Sequence, residues 1–179
     1  MSVKDLAYQM ITTSSNFATN VLIDVVTVGV IQKALEELRV DGIEVLRGVD
    51  DQKAFAAGKN NMVNADGLLK LLRLISDGRV YSPEISAELL EILLDQRHKS
   101  GIPAGLPGGA AVAHKTGNIS TNHHDAGIVY IGNRRPYAVV ILTQSAAGEG
   151  GNRAVADVSR QIYSALASIS QIESDRRES

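Results

Sequence analysis

The sequence contains no cysteine, which excludes disulfides, thiolate metal sites and cysteine nucleophiles together while leaving the redox compartment open. It has no strong excess of either charge: 18 basic side chains stand against 20 acidic ones, a net charge of -2. No stripe of lysine and arginine runs along it, since Arg134-Arg135 and Arg176-Arg177 are isolated pairs, so nucleic acid is not an expected ligand. Nor is there an uninterrupted apolar run of the roughly 18 residues a membrane helix needs. The opening MSVKDLAYQM carries Lys4 and Asp5 and no apolar stretch of signal-peptide length, so no membrane partner and no export address are read from it. What remains is an ordinary globular composition, 44% hydrophobic and 21% charged over 179 residues, enough for one domain with a substantial core.

Two halves differ in period. Through about residue 97 apolar positions recur at helical spacing, as in Ile31, Ala34, Leu35 and Leu38, or Ile85, Leu89, Ile92 and Leu93. Ser82, Pro83 and Glu84 supply a cap, a pre-set first helical residue and a negative charge at the positive helix end, predicting a helix over about 82–96. Asn64 or Asp66 can start another over GLLKLLRLIS, with Gly78 just beyond its end. Between these patterns, residues 41–63 read as a long, mostly irregular loop of the kind that is often functional.

After the turn-rich SGIPAGLPGGA, the pattern changes to three β-rich runs, AVAHK, AGIVYIG and YAVVILTQ, the last two joined by NRRP. Their lack of polar alternation predicts a sheet covered on both faces. A helix over about 152–169 offers one cover, followed by a polar tail over 171–179. The reading is thus an α/β fold of the α+β type in one domain, residues 1–170, with a helical part over 1–110 and a sheet with its C-terminal helix over 111–170. Three strands are few for this much helix, and the pattern opens in a helix with no strand before it.

The stretch AVAHKTGNIS places Lys115, Thr116 and Gly117 at the exit of an apolar strand, an ammonium and an alcohol beside backbone that a ligand can approach closely. A carboxylate suits that combination. About a hundred residues earlier, Ser14, Ser15 and Asn16 sit between two helical patterns, where hydroxyl and amide side chains ordinarily cap helices. The three histidines outside helices suggest no metal, because His123 and His124 are consecutive and point to opposite faces of a strand. His114 and His98 read as a strand-edge and a helix-end residue. AAGEGGN lacks the Lys-Ser or Lys-Thr of a phosphate loop and reads as a strand-to-helix connection. No cofactor is implied.

The run MITTSSNFATNVLID, an irregular loop, two helices and then HKTG entering a strand pair resemble, in order and spacing, the serine β-lactamase and penicillin-recognising family, in particular its class A group. The resemblance extends from residue 3 to about 169. It implies acyl transfer through a serine, a β-lactam or related amide or ester as substrate, and a periplasmic or secreted location. It also implies that Ser14 helps pass a proton to the leaving nitrogen with Lys115 beside it, and that Asn16 holds the substrate amide. Thr116 and Lys115 would bind the substrate carboxylate, Gly117 would allow close approach, and the backbone N–H of Asn118 would be an oxyanion donor. Asp125 matches a recurrent aspartate of structural role.

Departures from the family pattern shape the expectation. Ser15 replaces the middle aspartate of the Ser-Asp-Asn motif. If Arg47 opens the family's omega loop, Val49 falls at the glutamate that activates the deacylating water, leaving Asp50 or Asp51 as shorter substitutes. Asn61 falls where an aspartate often pairs with that arginine, so an ionic latch becomes a hydrogen bond. The nucleophile motif needs a serine three residues before a lysine, on one helix face. The residues three before the seven lysines are Met1, Val30, Asp50, Ala56, Gly67, Gln96 and Val112, and none is serine. The resemblance therefore implies a further N-terminal segment with the nucleophile and two strands. The competing expectation is a carboxylate-binding or interaction domain without covalent chemistry.

Overall fold

The computed structural model describes residues 1–132, 135–144 and 150–178, with side chains through Ile169. The helical part begins with α1 (Val3–Thr12), α2 (Asn16–Val26) and α3 (Val28–Glu37). Helix α1 opens on a capping box in which Ser2 Oγ accepts from the Asp5 N–H and the Asp5 carboxylate accepts from the Ser2 N–H. Ser15 caps α2 by accepting from the Ala18 N–H, which is what a serine does in the place of the expected aspartate. Thr27, at φ 70°, joins α2 to α3, and the two helices meet at an angle of 81°. Among the described residues no single helix is long and apolar enough to cross a membrane.

The stretch 41–63 is more ordered than its weak periodicity suggests. Strands β1 (Ile43–Glu44) and β2 (Met62–Val63) pair antiparallel and close its two ends, and the one-turn helix α4 (Gln52–Ala56) lies between. Helix α5 (Ala65–Ser76) starts at Asn64, whose side chain accepts from the Gly67 N–H at 2.7 Å, so Asn64 rather than Asp66 is the cap. Helix α6 (Pro83–Leu94) has Ser82 as its cap and Pro83 in its first turn, as the sequence predicts.

The sheet has the order β3 (Ala111–Ile119), β4 (Asn122–Tyr130), β5 (Tyr137–Gln144), antiparallel throughout. Strands β3 and β4 run beyond their apolar stretches, carrying Lys115 to Asn118 and His123 to Asp125 into the ladder up to a two-residue turn at Ser120-Thr121. Pairing across that turn, invisible to hydrophobic pattern, supplies the extension. The NRRP connection falls partly, and residues 145–149 of the strand-to-helix connection wholly, outside the described residues. Helix α7 spans Gly151–Glu178, longer than the 152–169 expected, and its backbone runs through residues 171–178, where the sequence predicts a tail.

Both faces of the sheet are covered, as the apolar strands require. Helices α5 and α6 pack Leu72, Ile75 and Leu93 against Ala113, Ala126 and Ile128. On the other face, Ile102 in the 3₁₀ turn Ile102–Gly105 and Val155 of α7 pack against Val112, Val129, Val139 and Ile141. A third cluster, Leu6, Ala18 and Leu22, joins α1 to α2. This places the α1–α2 connection beside the exit of β3.

Candidate active site

Ser14 occupies the connection between α1 and α2 with φ 53°, a left-handed backbone unusual for serine. Its hydroxyl meets the side chain of a residue 101 positions away: Lys115 Nζ donates to Ser14 Oγ at 2.5 Å. The same ammonium donates to the Thr116 carbonyl at 2.5 Å. Burial pushes the Lys115 ammonium below its ordinary pKa, and the nearby Asp125 carboxylate opposes that shift. Lys115 also lines an apolar cavity of about 270 Å³, together with Met10, Ile11, Leu72, Ile92, Leu93 and Ala126.

Asn16, two residues on and exposed, donates from Nδ2 to Asp50 Oδ2 at 2.7 Å. The carboxylate brought to the site is thus Asp50, which has φ 61°. Asp51 is not brought there: its side chain accepts from the Ala54 N–H as the cap of α4, a use that aspartate shares with serine, threonine and asparagine at the start of a helix. Val49 is held by Asn20, which accepts from its N–H at 2.7 Å and donates to its carbonyl at 3.0 Å. Residues 49 and 50 are therefore tied to α2 by two asparagines at i and i+4 on one face. Asn20 escaped the sequence reading, although that spacing in an otherwise apolar helix was its available signal.

The expected link between Asn61 and Arg47 takes another form. Asn61 Oδ1 accepts from the Leu46 and Arg47 N–H groups and its Nδ2 donates to the Arg47 carbonyl. The amide latches backbone, and the Arg47 guanidinium instead lies 5.4 Å from the Phe55 ring centre.

On β3, Thr116 is buried while Gly117 and Asn118 are exposed. A Cβ at Gly117 would meet only His124 Cβ, at 3.7 Å, so the protein's own packing does not demand glycine there. Thr116, by strand alternation, points away from the face that carries Lys115.

His114 is not a strand-edge residue. It is fully buried, and its Nδ1 lies 2.9 and 3.1 Å from the two oxygens of Asp125, itself only 1% exposed. Because a carboxylate only accepts, the shared proton sits on Nδ1. The two residues are diagonal neighbours on one sheet face, since His114 is opposite Gly127 and Asp125 is opposite Thr116. Asp125 Oδ2 also accepts from the Ile102 N–H at 2.8 Å, and a Cβ at Gly101 would stand 2.4 Å from that oxygen. His98 lies past the end of α6, its backbone N–H donating to Gln96 Oε1. Among the described residues no three His, Asp or Glu side chains converge as metal ligands would.

The arrangement combines a partly desolvated ammonium on a hydroxyl, an amide holding a carboxylate, and an exposed strand end beside both. Such a set can bind an anion and relay a proton. Comparison with known proteins gives this geometry a context. No curated protein matches the sequence. Among solved structures the chain is similar to a protein described as PBP-A, at 28% identity and TM-score 0.85, covering 94% of this chain and 62% of that one. It is similar in fold to a β-lactamase from Sphaerobacter thermophilus, at 24% identity and TM-score 0.85, covering 93% and 64%. The same holds for a class A β-lactamase from Mycobacterium abscessus, at 21% identity and TM-score 0.84, covering 93% and 66%. The chain thus spans a little under two thirds of the length of these relatives. The model of the β-lactamase enzyme family matches residues 1–166, nearly the whole sequence, and the chain belongs to that family.

Proposed function

We propose that this chain supplies one wall of a serine acyl-transfer site acting on a β-lactam or a related amide or ester. The observation that carries the reading is the contact of Lys115 Nζ with Ser14 Oγ, which joins the two motif segments from opposite ends of the sequence. In this reading the serine hydroxyl passes a proton to the nitrogen released when the acyl bond breaks. The ammonium beside it stabilises the negative charge that develops. Lys115 binds the substrate carboxylate, a role that buried Thr116, on the opposite face of β3, does not share; Asn16 holds the substrate amide, and the exposed stretch at Gly117 and Asn118 lets the carbonyl oxygen approach a backbone donor. One of the similar structures is an acyl-enzyme complex of a PBP-A mutant with penicillin G, which supports the substrate class.

The nucleophile is assigned to a Ser-x-x-Lys segment outside this sequence, because none of the seven lysines here follows a serine at that spacing. Deacylation falls to Asp50, whose carboxylate is held by Asn16; Asp51, occupied as a helix cap, is not assigned that role. A periplasmic or secreted location goes with this reading, as the family resemblance implies.

The test is complementation. The chain is mixed with a separately produced polypeptide that carries a helical Ser-x-x-Lys segment of the same family, and acylation by a fluorescent penicillin is followed. Covalent labelling that falls at least about a hundredfold in Lys115→Ala is the expected result. Labelling unaffected by that substitution removes Lys115 from the site. Saturable, non-covalent penicillin binding with no labelling favours the carboxylate-binding reading instead.

A further inference from the structure

The two walls of the site meet at Ser14 and Lys115, yet they are also joined behind it by a second route. At the end of α6 the Gln96 side chain, only 1% exposed, donates from Nε2 to the Ile11 carbonyl at 2.7 Å and accepts the His98 N–H at 3.0 Å. The Arg97 N–H donates to the Thr12 carbonyl at 3.1 Å, and Tyr8 OH donates to Asp95 at 3.1 Å. Three successive residues, Asp95 to Arg97, therefore clasp the last turn of α1, two residues short of Ser14. Five residues later the same segment reaches Ile102, whose N–H is fixed by Asp125, and Asp125 holds His114, the residue before Lys115.

The contacts close into a ring: Ser14, the end of α1, Gln96, the segment to Ile102, Asp125, His114, Lys115 and back to Ser14. A buried amide costs desolvation that an apolar side chain of the same volume avoids. What the Gln96 amide adds is a fixed register between the turn that carries Ser14 and the exit of α6. Glycine at 101 belongs to the same device, because any side chain there collides with the Asp125 carboxylate.

We infer that the segment Gln96 to Ile102 is a strut, with Gln96 and Asp125 as positioning residues that set the spacing of Ser14 and Lys115. This rests on the reading that those two form the working pair. The readout needs no substrate, however, so failure here and failure of acyl transfer are separable.

The experiment labels lysine side chains with ¹⁵N in the full chain and follows the Lys115 ammonium, assigned by its loss in Lys115→Ala. Held by Ser14 Oγ and the Thr116 carbonyl, its protons exchange slowly enough to be seen. Gln96→Met, close in volume and without hydrogen bonds, is expected to abolish that protected signal and move its titration up toward the ordinary lysine value. Val155→Ala, a truncation on α7 that loosens the packing behind Ile102 but removes none of the ring's hydrogen bonds, controls for general loosening and is expected to keep the signal. A signal retained in Gln96→Met, or lost equally in Val155→Ala, overturns the proposal. Gln96→Asn, which keeps an amide but withdraws it by one methylene, is the milder probe if Gln96→Met does not fold, under the same criteria.

Discussion

The two faces of the β3-β4-β5 sheet are filled in opposite ways. Behind it, toward α7 and the 3₁₀ turn, Ile102, Val129 and Val155 are all at most 1% exposed. The polar groups among them are hydrogen-bonded through Asp125 and through Ser159, whose hydroxyl donates to the Ile102 carbonyl. The exceptions are His114 Nε2 and the Tyr137 hydroxyl, each buried with no hydrogen-bond partner among the described residues. In front, toward α5 and α6, the packing leaves the cavity of about 270 Å³ that Lys115 helps to line. The lesson is a division of labour within one thin sheet: the rear face fixes the strands, and the front face keeps space beside the ammonium. One strand serves both, because alternation sends His114 backward and Lys115 forward.

That contrast can be broken most severely from behind. Asp125→Ala leaves the Ile102 N–H and the His114 ring without their acceptor in a dry site, and a loss on the order of 3 kcal/mol is expected in urea unfolding. A loss under about 1 kcal/mol would mean that the rear hub is not structural. Next comes Val155→Ala, where two methyl groups leave a filled core, for an expected cost of about 2 kcal/mol by the same measurement.

A smaller, signed comparison sharpens the point. Ala126→Val adds methyl groups toward the cavity and is expected to stabilise by about 1 kcal/mol. Ala156→Val adds them to the packed rear face, where the Ala156 carbonyl already lies close under Gly105, and is expected to destabilise by about 1–3 kcal/mol. Equal signs for the pair would erase the difference between the faces.

The smallest effect concerns pH. Burial holds the folded pKa of Lys115 below its ordinary 10.5, so the unfolded chain binds the proton more tightly. In that window unfolding takes up a proton, and stability rises as pH climbs from the folded value toward 10.5. Lys115→Met is expected to remove that alkaline rise in unfolding midpoints measured from neutral pH upward. A wild-type profile already flat there would show that the ammonium is not desolvated.

How much of this was legible beforehand depends on the range over which each feature is encoded. The caps at Ser82 and Asn64, the apolar strands and the order of the Ser14, Asn16 and Lys115 motifs are local, and each leaves a local pattern. The family resemblance rested on those patterns, and the fold follows it. The buried pairing of His114 with Asp125 is a matter of strand register, and hydrophobic pattern is silent about which turn closes a hairpin. Asp50 and Asp51 are neighbours of one type in sequence, and only the loop's path gives one to Asn16 and the other to α4. Gln96 was invisible because a glutamine at a helix end ordinarily faces water. Its burial follows from the approach of α1, which no local rule encodes.

Ser14 carries a last consequence. A left-handed serine stores strain that glycine or asparagine would relieve, so selection for heat resistance alone should discard this hydroxyl early. If Ser14 has the role proposed for it, that strain is what its hydroxyl costs in durability, and directed evolution of the chain toward robustness ought to be run with position 14 locked.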